Sequence, residues 1–217
     1  MHPDLFDALP VPQLQPYRLD EGAVLLRAFA GSDDRVLLEE VEKIIAVAPL
    51  RHMITPGGFR MSVAMSNCGQ AGWVSDPGGY RYDAIDPETG KPWPALPSVF
   101  MELADRAARS AGYENFIPDV CLVNCYVPGT RLSLHQDKDE RDSSAPIVSV
   151  SLGLPAVFLF GGSKRSIRPR RYTLLHGDVV VWGGPARYHF HGIAPLAEGH
   201  HAIAGRKRIN LTFRRAL

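Results

Sequence analysis

Arg208-Ile209-Asn210-Leu211-Thr212-Phe213-Arg214 is the stretch on which the fold turns. Successive strand side chains point to opposite faces, so Ile209, Leu211 and Phe213 share one side and Arg208, Asn210, Thr212 and Arg214 the other. The apolar side asks for a core. The polar side, taken alone, is satisfied by solvent. The same period of two runs back to Asp119, and short strands fit 119–127, 131–137, 146–152, 156–160, 170–175, 178–182, 187–193 and 207–214, most of them separated by Gly or Pro turns. Eight short strands at that spacing predict a sandwich or a jelly roll.

Upstream the pattern changes. Ser32 reads as the N-cap of a helix reaching about Ala48, with Val36, Leu37, Val41, Ile44 and Ile45 at helical spacing. A second helix is expected from about Ser98 to Ser110, with Gly112 placed to stop it. Between the two, residues 51–94 interleave Pro56-Gly57-Gly58 and Pro77-Gly78-Gly79 with Phe59, Trp73, Tyr80, Tyr82 and Trp93. Such a loop-and-hairpin region is long enough to be functional. Residues 1–20, with Pro3, Pro10, Pro12 and Pro16, read as an extended arm. No repeat, low-complexity tract or linker divides the chain, so a single domain over 1–217 is expected.

A chain of 217 residues can bury a sizeable core. Its 45% hydrophobic and 22% charged residues are those of an ordinary soluble globular protein. No apolar run approaches the ~20 residues that span a bilayer, and no signal pattern opens the chain, so a cytoplasmic location away from membranes is expected. Three cysteines with no CxxC agree with that compartment. Cys121 and Cys125 fall about 13 Å apart at strand rise, too far to bridge. A net charge of +1 supplies no global field toward nucleic acid. Local basic runs remain at Lys164, Arg165, Arg168, Arg170 and Arg171 and at Arg206-Lys207-Arg208, open to reading as solvated loops or as phosphate contacts.

Chemistry concentrates at His135-Gln136-Asp137. On an extended segment His135 and Asp137 point to the same side, and His191 from a distant segment can complete one face of an octahedral metal. Two histidines and one carboxylate leave three positions open, which suits non-haem Fe(II) binding a cosubstrate and O2. Zinc would take four protein ligands, or three and a water. In Leu122-Val123-Asn124-Cys125-Tyr126, alternation places Leu122, Asn124 and Tyr126 together. Beside a metal, the polar face carrying Arg208 and Arg214 can hold a small dicarboxylate through bidentate, charge-assisted bonds.

Asn124-x-Tyr126-x-Pro128-Gly129, His135-x-Asp137, His191 and Arg208-x5-Arg214, in that order, resemble the AlkB family of Fe(II)/2-oxoglutarate-dependent nucleic-acid dealkylases. The likeness extends from about Gly22 over nearly the whole chain, through Met53–Gly58, Lys91–Pro94, Ser149–Gly153 and His176–Gly184. It implies an α+β fold: a double-stranded β-helix (jelly roll) core at about 119–217, supporting N-terminal helices, and a hairpin lid at about 51–94 over the active site. It implies Fe(II) on His135, Asp137 and His191. The cosubstrate 2-oxoglutarate would pair its distal carboxylate with Arg208 and meet Leu122, Asn124, Tyr126, Ser149, Asn210 and Arg214. Trp73 would stack on a flipped-out base with His135 on the other face, and Asp139 would meet the base edge. Thr55, Met65, Tyr80, Lys138 and Arg165 match lid or rim positions. The implied reaction is oxidative dealkylation of lesions such as 1-methyladenine and 3-methylcytosine in DNA, preferably single-stranded, with RNA as a further substrate. It consumes O2, releases aldehyde, succinate and CO2, and is expected of a monomer.

Cys125 and Ala204-Gly205-Arg206-Lys207 depart from the family pattern, and neither touches a motif residue. His176 and His189 read as structural, His200 and His201 as loop histidines, and Trp182 as core near the cosubstrate. Two other classes compete. A non-catalytic metal-binding jelly roll has no use for Arg208 and Arg214 beside Asn124 and Tyr126. A hydroxylase of protein side chains has no use for Trp73 and Asp139 in an aromatic, Gly-rich lid.

Overall fold

The computed structural model describes residues 15–217. The elements run β1 (Tyr17–Asp20), β2 (Ala23–Leu26), α1 (Asp34–Val47), β3 (Ala64–Gly69), β4 (Gly72–Asp76), β5 (Gly79–Asp83) and α2 (Ser98–Ser110). They continue with β6 (Val120–Tyr126), β7 (Leu132–His135), β8 (Ile147–Gly153), β9 (Ala156–Phe160), β10 (Arg170–Leu174) and β11 (Val179–Trp182). A short 3-10 turn (Gly184–Ala186), β12 (His191–Ile193) and β13 (Arg208–Arg214) complete the chain. Seven strands form one sheet in the order β1-β2-β11-β8-β13-β6-β3, and four form a second in the order β10-β9-β12-β7. Every pairing is antiparallel, and β4-β5 stands apart as a hairpin. This is a jelly roll with two helices.

The period-two reading of β13 explains how the layers are filled. Ile209, Leu211 and Phe213 enter a core shared with Val148 and Val150 of β8 and with Leu37, Val41, Phe100 and Leu103 of the helices. Phe100 meets Phe213 edge-on, with ring centroids 5.7 Å apart. The other face is buried too: Arg208, Asn210, Thr212 and Arg214 are 1%, 6%, 5% and 6% exposed. Solvation therefore cannot account for these polar groups. They look into the space between the two sheets, where Leu122, Tyr126, Phe158, Phe160 and Trp182 form a second apolar cluster.

Several expectations shift. Helix α1 is capped at Asp33 rather than Ser32, with no side-chain cap bond, because the Asp33 carboxylate is drawn to Arg106 of α2 at 2.5 Å. Val36 lies off the buried stripe of Leu37, Val41 and Ile44 and is 39% exposed. Of the arm, residues 1–14 lie outside the described residues, while Tyr17–Asp20 is a paired strand. Ala23-Val24-Leu25-Leu26 lacks alternation, yet β2 pairs along its length with β11. Within the expected lid, β3 belongs to the large sheet and pairs with β6. Its Ser66 and Asn67 hid that role, since both are buried polar residues with specific partners: Ser66 Oγ donates to Ala48 O at 2.5 Å, and Asn67 binds the backbone of Trp73. The strand expected at 187–193 contracts to His191–Ile193.

Candidate active site

His135 ends β7 and His191 begins β12, and the two are register partners across that ladder. Asp137 follows on a segment without ladder bonds. One ligand atom from each of the three residues lies within 4.8 Å of the others. Asp137 Oδ1 sits 3.5 Å from His135 Nε2 and 3.9 Å from His191 Nε2. Each histidine donates its Nδ1–H to a carbonyl two residues earlier, His135 to Ser133 O at 2.9 Å and His191 to His189 O at 3.0 Å. Those bonds fix the tautomer and leave both Nε2 lone pairs facing the carboxylate oxygen, the arrangement a metal requires.

The other carboxylate oxygen is committed. Arg214 donates Nε and Nη2 to Asp137 Oδ2 at 2.9 and 2.7 Å. Burial opposes ionisation of Asp137, but Arg214 and the two histidines override it and hold the carboxyl well below the usual range. Burial, reinforced by neighbouring His135, pushes His191 down to about 4. At neutral pH the site therefore offers a carboxylate and a neutral imidazole. A pH consequence follows for the metal-free protein. The folded His191 pKa lies below the ordinary value of 6.5, so between about 6.5 and about 4 the unfolded chain binds more protons and stability is lost as the pH is lowered. The depressed Asp137 pKa removes further stability below about 3.8. The melting temperature of chelator-treated protein should accordingly drop between pH 7 and pH 5; an equal or higher value at pH 5 would contradict the assignment.

A cavity of about 920 Å³ opens above the triad and runs between the sheets. Leu122, Asn124, Tyr126, Arg208, Asn210 and Arg214, grouped by strand alternation, all line it, and so does Ser149, which the family resemblance alone implied. Arg208 stands over the Tyr126 ring, 4.9 Å from its centroid, and donates Nη2 to Ser151 Oγ at 2.9 Å. Arg208 Nε and Nη1, Arg214 Nη1 and Asn124 Oδ1 are buried without a partner. An unsatisfied buried donor costs about 1–3 kcal/mol, more when charged, so such groups persist where a ligand accepts them. Three open guanidinium nitrogens on one buried strand face fit a dicarboxylate. Asn210 is instead satisfied internally: its Nδ2 donates to Ser149 Oγ and Val150 O, and its Oδ1 accepts from Asn124 and Thr212.

The cavity mouth is shared between residues of the 51–94 region and residues that follow the triad or lie further on in the chain. Thr55, Met65, Trp73, Tyr80, Lys138, Asp139 and Arg165 line the same space. Asn67 of the core sheet both donates to Trp73 O and accepts from Trp73 N, at 3.1 and 3.0 Å, so the tryptophan backbone is pinned. Its ring stacks on Tyr80 at 5.5 Å and donates Nε1–H to Asp139 Oδ2 at 2.9 Å. Gly72 is required beside it, since a Cβ there would lie 2.4 Å from the Trp93 ring. Met65, matched to a lid or rim position, lines the cavity from deeper in the wall. It is 2% exposed on β3, opposite Asn124, and forms cavity wall.

Sequence reasoning passed over two residues entirely. Arg187 and Glu140, each with a side chain 3% exposed, form a salt bridge at 3.0 Å directly behind Asp137. Glu140 carries no signal beyond its place in the acidic run Asp137-Lys138-Asp139-Glu140, and nothing around Arg187 signalled burial. Arg60 and Arg131 also line the cavity mouth. The run Arg206-Lys207-Arg208 is no phosphate patch: Arg206 pairs with Glu198, Lys207 with Glu42, and Arg208 is interior. His176 is structural, bonded to Gly153 N and Asp34, and His189 packs on Phe160 outside the triad.

A jelly roll with two histidines and a carboxylate at the head of a cavity, and two buried arginines inside it, has the layout of a non-haem iron oxygenase taking a dicarboxylate cosubstrate. The model of the 2OG-Fe(II) oxygenase superfamily matches residues 22–214. The chain is 56% identical over 198 residues to the alpha-ketoglutarate-dependent dioxygenase AlkB of Escherichia coli, covering 91% of this chain and 92% of that protein. It is 54% identical over 213 residues to the protein of the same name from Salmonella typhimurium, with 98% and 97% covered. Among solved structures, OsALKBH1 matches with a TM-score of 0.81 and 30% identity, covering 92% of this chain and 99% of the other. The chain thus belongs to the AlkB family of the 2OG-Fe(II) oxygenase superfamily, enzymes that use Fe(II), 2-oxoglutarate and O2. No helix among the described residues is long and apolar enough to cross a membrane.

Proposed function

We propose that this enzyme removes alkyl groups from damaged bases of DNA, single strands before duplex, with RNA as a further substrate, and that it works as a cytoplasmic, single-domain monomer. The observation that carries the reading is one cavity lined at once by the His135–Asp137–His191 cluster, the open guanidinium nitrogens of Arg208 and Arg214, and the Trp73–Asp139 pair. His135, Asp137 and His191 would hold Fe(II); Arg208 and Arg214, with Asn124 and Tyr126, would hold 2-oxoglutarate. The bound metal and cosubstrate supply the oxidation of an alkyl C–H to C–OH, after which an N-hydroxymethyl base sheds its aldehyde. The chain's own residues orient. Asn210 holds Asn124 in place through the bond from Asn124 Nδ2 to Asn210 Oδ1. The pinned Trp73 ring offers a planar face, and Asp139 Oδ1 is left for the base edge once Oδ2 has taken the indole N–H. Arg60, Arg131, Lys138 and Arg165 surround the mouth with none in a salt bridge among the described residues, as a phosphate backbone would favour. A base must leave its stack to enter, which is easiest from a single strand.

The lesion preference tests this site. Alkylation at N1 of adenine or N3 of cytosine puts a positive charge on the ring, and an aromatic face attracts a cation by about 0.5–2 kcal/mol. Repair of 1-methyladenine and 3-methylcytosine should therefore exceed that of 1-methylguanine and 3-methylthymine by about two- to thirtyfold. Asp139→Asn keeps an acceptor for the Trp73 indole while removing the charge, so it should narrow the gap; Asp139→Ala should also loosen Trp73. Rates are read by lesion mass at one pH and salt. Equal rates on charged and neutral lesions in the unsubstituted enzyme would remove charge recognition from the account.

A further inference from the structure

Asp137 lies on a segment with no strand ladder to hold it, so its placement needs another cause. Arg187, just past the 3-10 turn, reaches three points of that segment. Its Nη1 donates to Asp137 O at 2.7 Å, its Nη2 to Glu140 Oε2 at 3.0 Å and its Nε to Ala145 O at 3.1 Å. Glu140 Oε1 faces Arg214 Nε at 3.2 Å and accepts from Tyr82 Oη at 2.7 Å. Asp137, Glu140, Arg187 and Arg214 are thus a buried quartet of two acids and two bases, and Tyr82 ties the lid to it. Tyr82 is the cross-strand partner of Trp73, whose indole bonds Asp139 in the same short segment. The lid therefore grips the segment 137–140 twice, from one pair of facing residues.

We propose that Arg187, through Glu140, is the positioning residue of the metal carboxylate, and that Tyr82 couples the lid to it. The proposal rests on the reading of His135, Asp137 and His191 as metal ligands. Without Arg187, Glu140 competes with Asp137 for Arg214 alone, and the Asp137 carbonyl loses its anchor. The carboxylate then no longer waits at the spacing that the two Nε2 atoms define.

Co(II) titration of the metal-free full-length protein, followed by visible absorption with far-UV circular dichroism as a folding control, tests this without turnover. Arg187→Ala should weaken Co(II) binding by about ten- to a hundredfold, the usual loss when a group behind a ligand is removed. Arg187→Lys should fall between, because an ammonium cannot serve three acceptors in one plane. Tyr82→Phe should leave Co(II) affinity unchanged and raise KM for a 1-methyladenine oligonucleotide by about two- to tenfold, the worth of one hydrogen bond, with kcat held. Unchanged Co(II) affinity and bands in folded Arg187→Ala overturn the positioning role. Should Arg187→Ala not fold, the same result in Arg187→Lys does so. An unchanged KM in Tyr82→Phe overturns the lid coupling. Failure of the unsubstituted protein to bind Co(II) at all would instead defeat the metal reading on which the proposal stands.

Discussion

Asp137→Ala should abolish turnover while leaving a folded protein. A residue behind a ligand typically costs 10–100-fold in metal affinity or activity, so deleting a ligand itself should cost more than about a hundredfold. Contacts with three residues end together, since Asp137 faces the Nε2 atoms of His135 and His191 and accepts two bonds from Arg214. Breaking a buried pair usually destabilises by about 3–5 kcal/mol. Here Glu140 stays 3.2 Å from Arg214 Nε, so the stranded guanidinium keeps one acid and the loss should sit at the low end. The two apolar clusters, one against the helices and one between the sheets, do not use Asp137. Iron content, succinate release and circular dichroism on one preparation check all three points. Full activity in Asp137→Ala would end the ligand assignment.

Arg208→Ala should raise the 2-oxoglutarate requirement at least about a hundredfold, the equivalent of about 3 kcal/mol for a buried charge left unpaired. The side chain is 1% exposed, and burial already pulls its pKa down against the support of Tyr126. Two of its nitrogens have no protein partner, so the chain maintains an unsatisfied cation in the interior. Arg208→Lys should recover only part of the loss, because an ammonium cannot reproduce the planar fork held over Tyr126. Saturation curves for 2-oxoglutarate, at fixed iron and oligonucleotide, separate the three proteins. An unchanged curve for Arg208→Ala would move the cosubstrate elsewhere.

Much of this site was readable from residue order because strands have a period of two. Alternation put Arg208, Asn210, Thr212 and Arg214 together, put Leu122, Asn124 and Tyr126 together, and aimed His135 and Asp137 alike; all of them line one cavity. Alternation is silent where a strand is buried on both faces or carries polar residues with private partners. That is why β2 and β3 were hidden, and with β3 the strand that carries Met65 into the cavity wall. The Arg187–Glu140 pair escaped for another reason. The partners of Arg187, two backbone carbonyls and one carboxylate, lie 42 to 50 positions away, and no local pattern encodes contacts of that range. Asn210 lines the cavity as its face of β13 implied, but its bonds to Asn124, Ser149 and Val150 were not legible from alternation.

The central claim is that one cavity joins a metal, a dicarboxylate and a damaged base in a single oxidation. Incubating the protein aerobically with Fe(II), 2-oxoglutarate and a single-stranded oligonucleotide bearing one 1-methyladenine, and following oligonucleotide mass and succinate together, tests it most directly. The account predicts restoration of unmodified adenine matched by formaldehyde and at least equimolar succinate, all lost when Fe(II), 2-oxoglutarate or O2 is withheld. Succinate formation with the lesion untouched, or lesion loss that continues without 2-oxoglutarate, would contradict it.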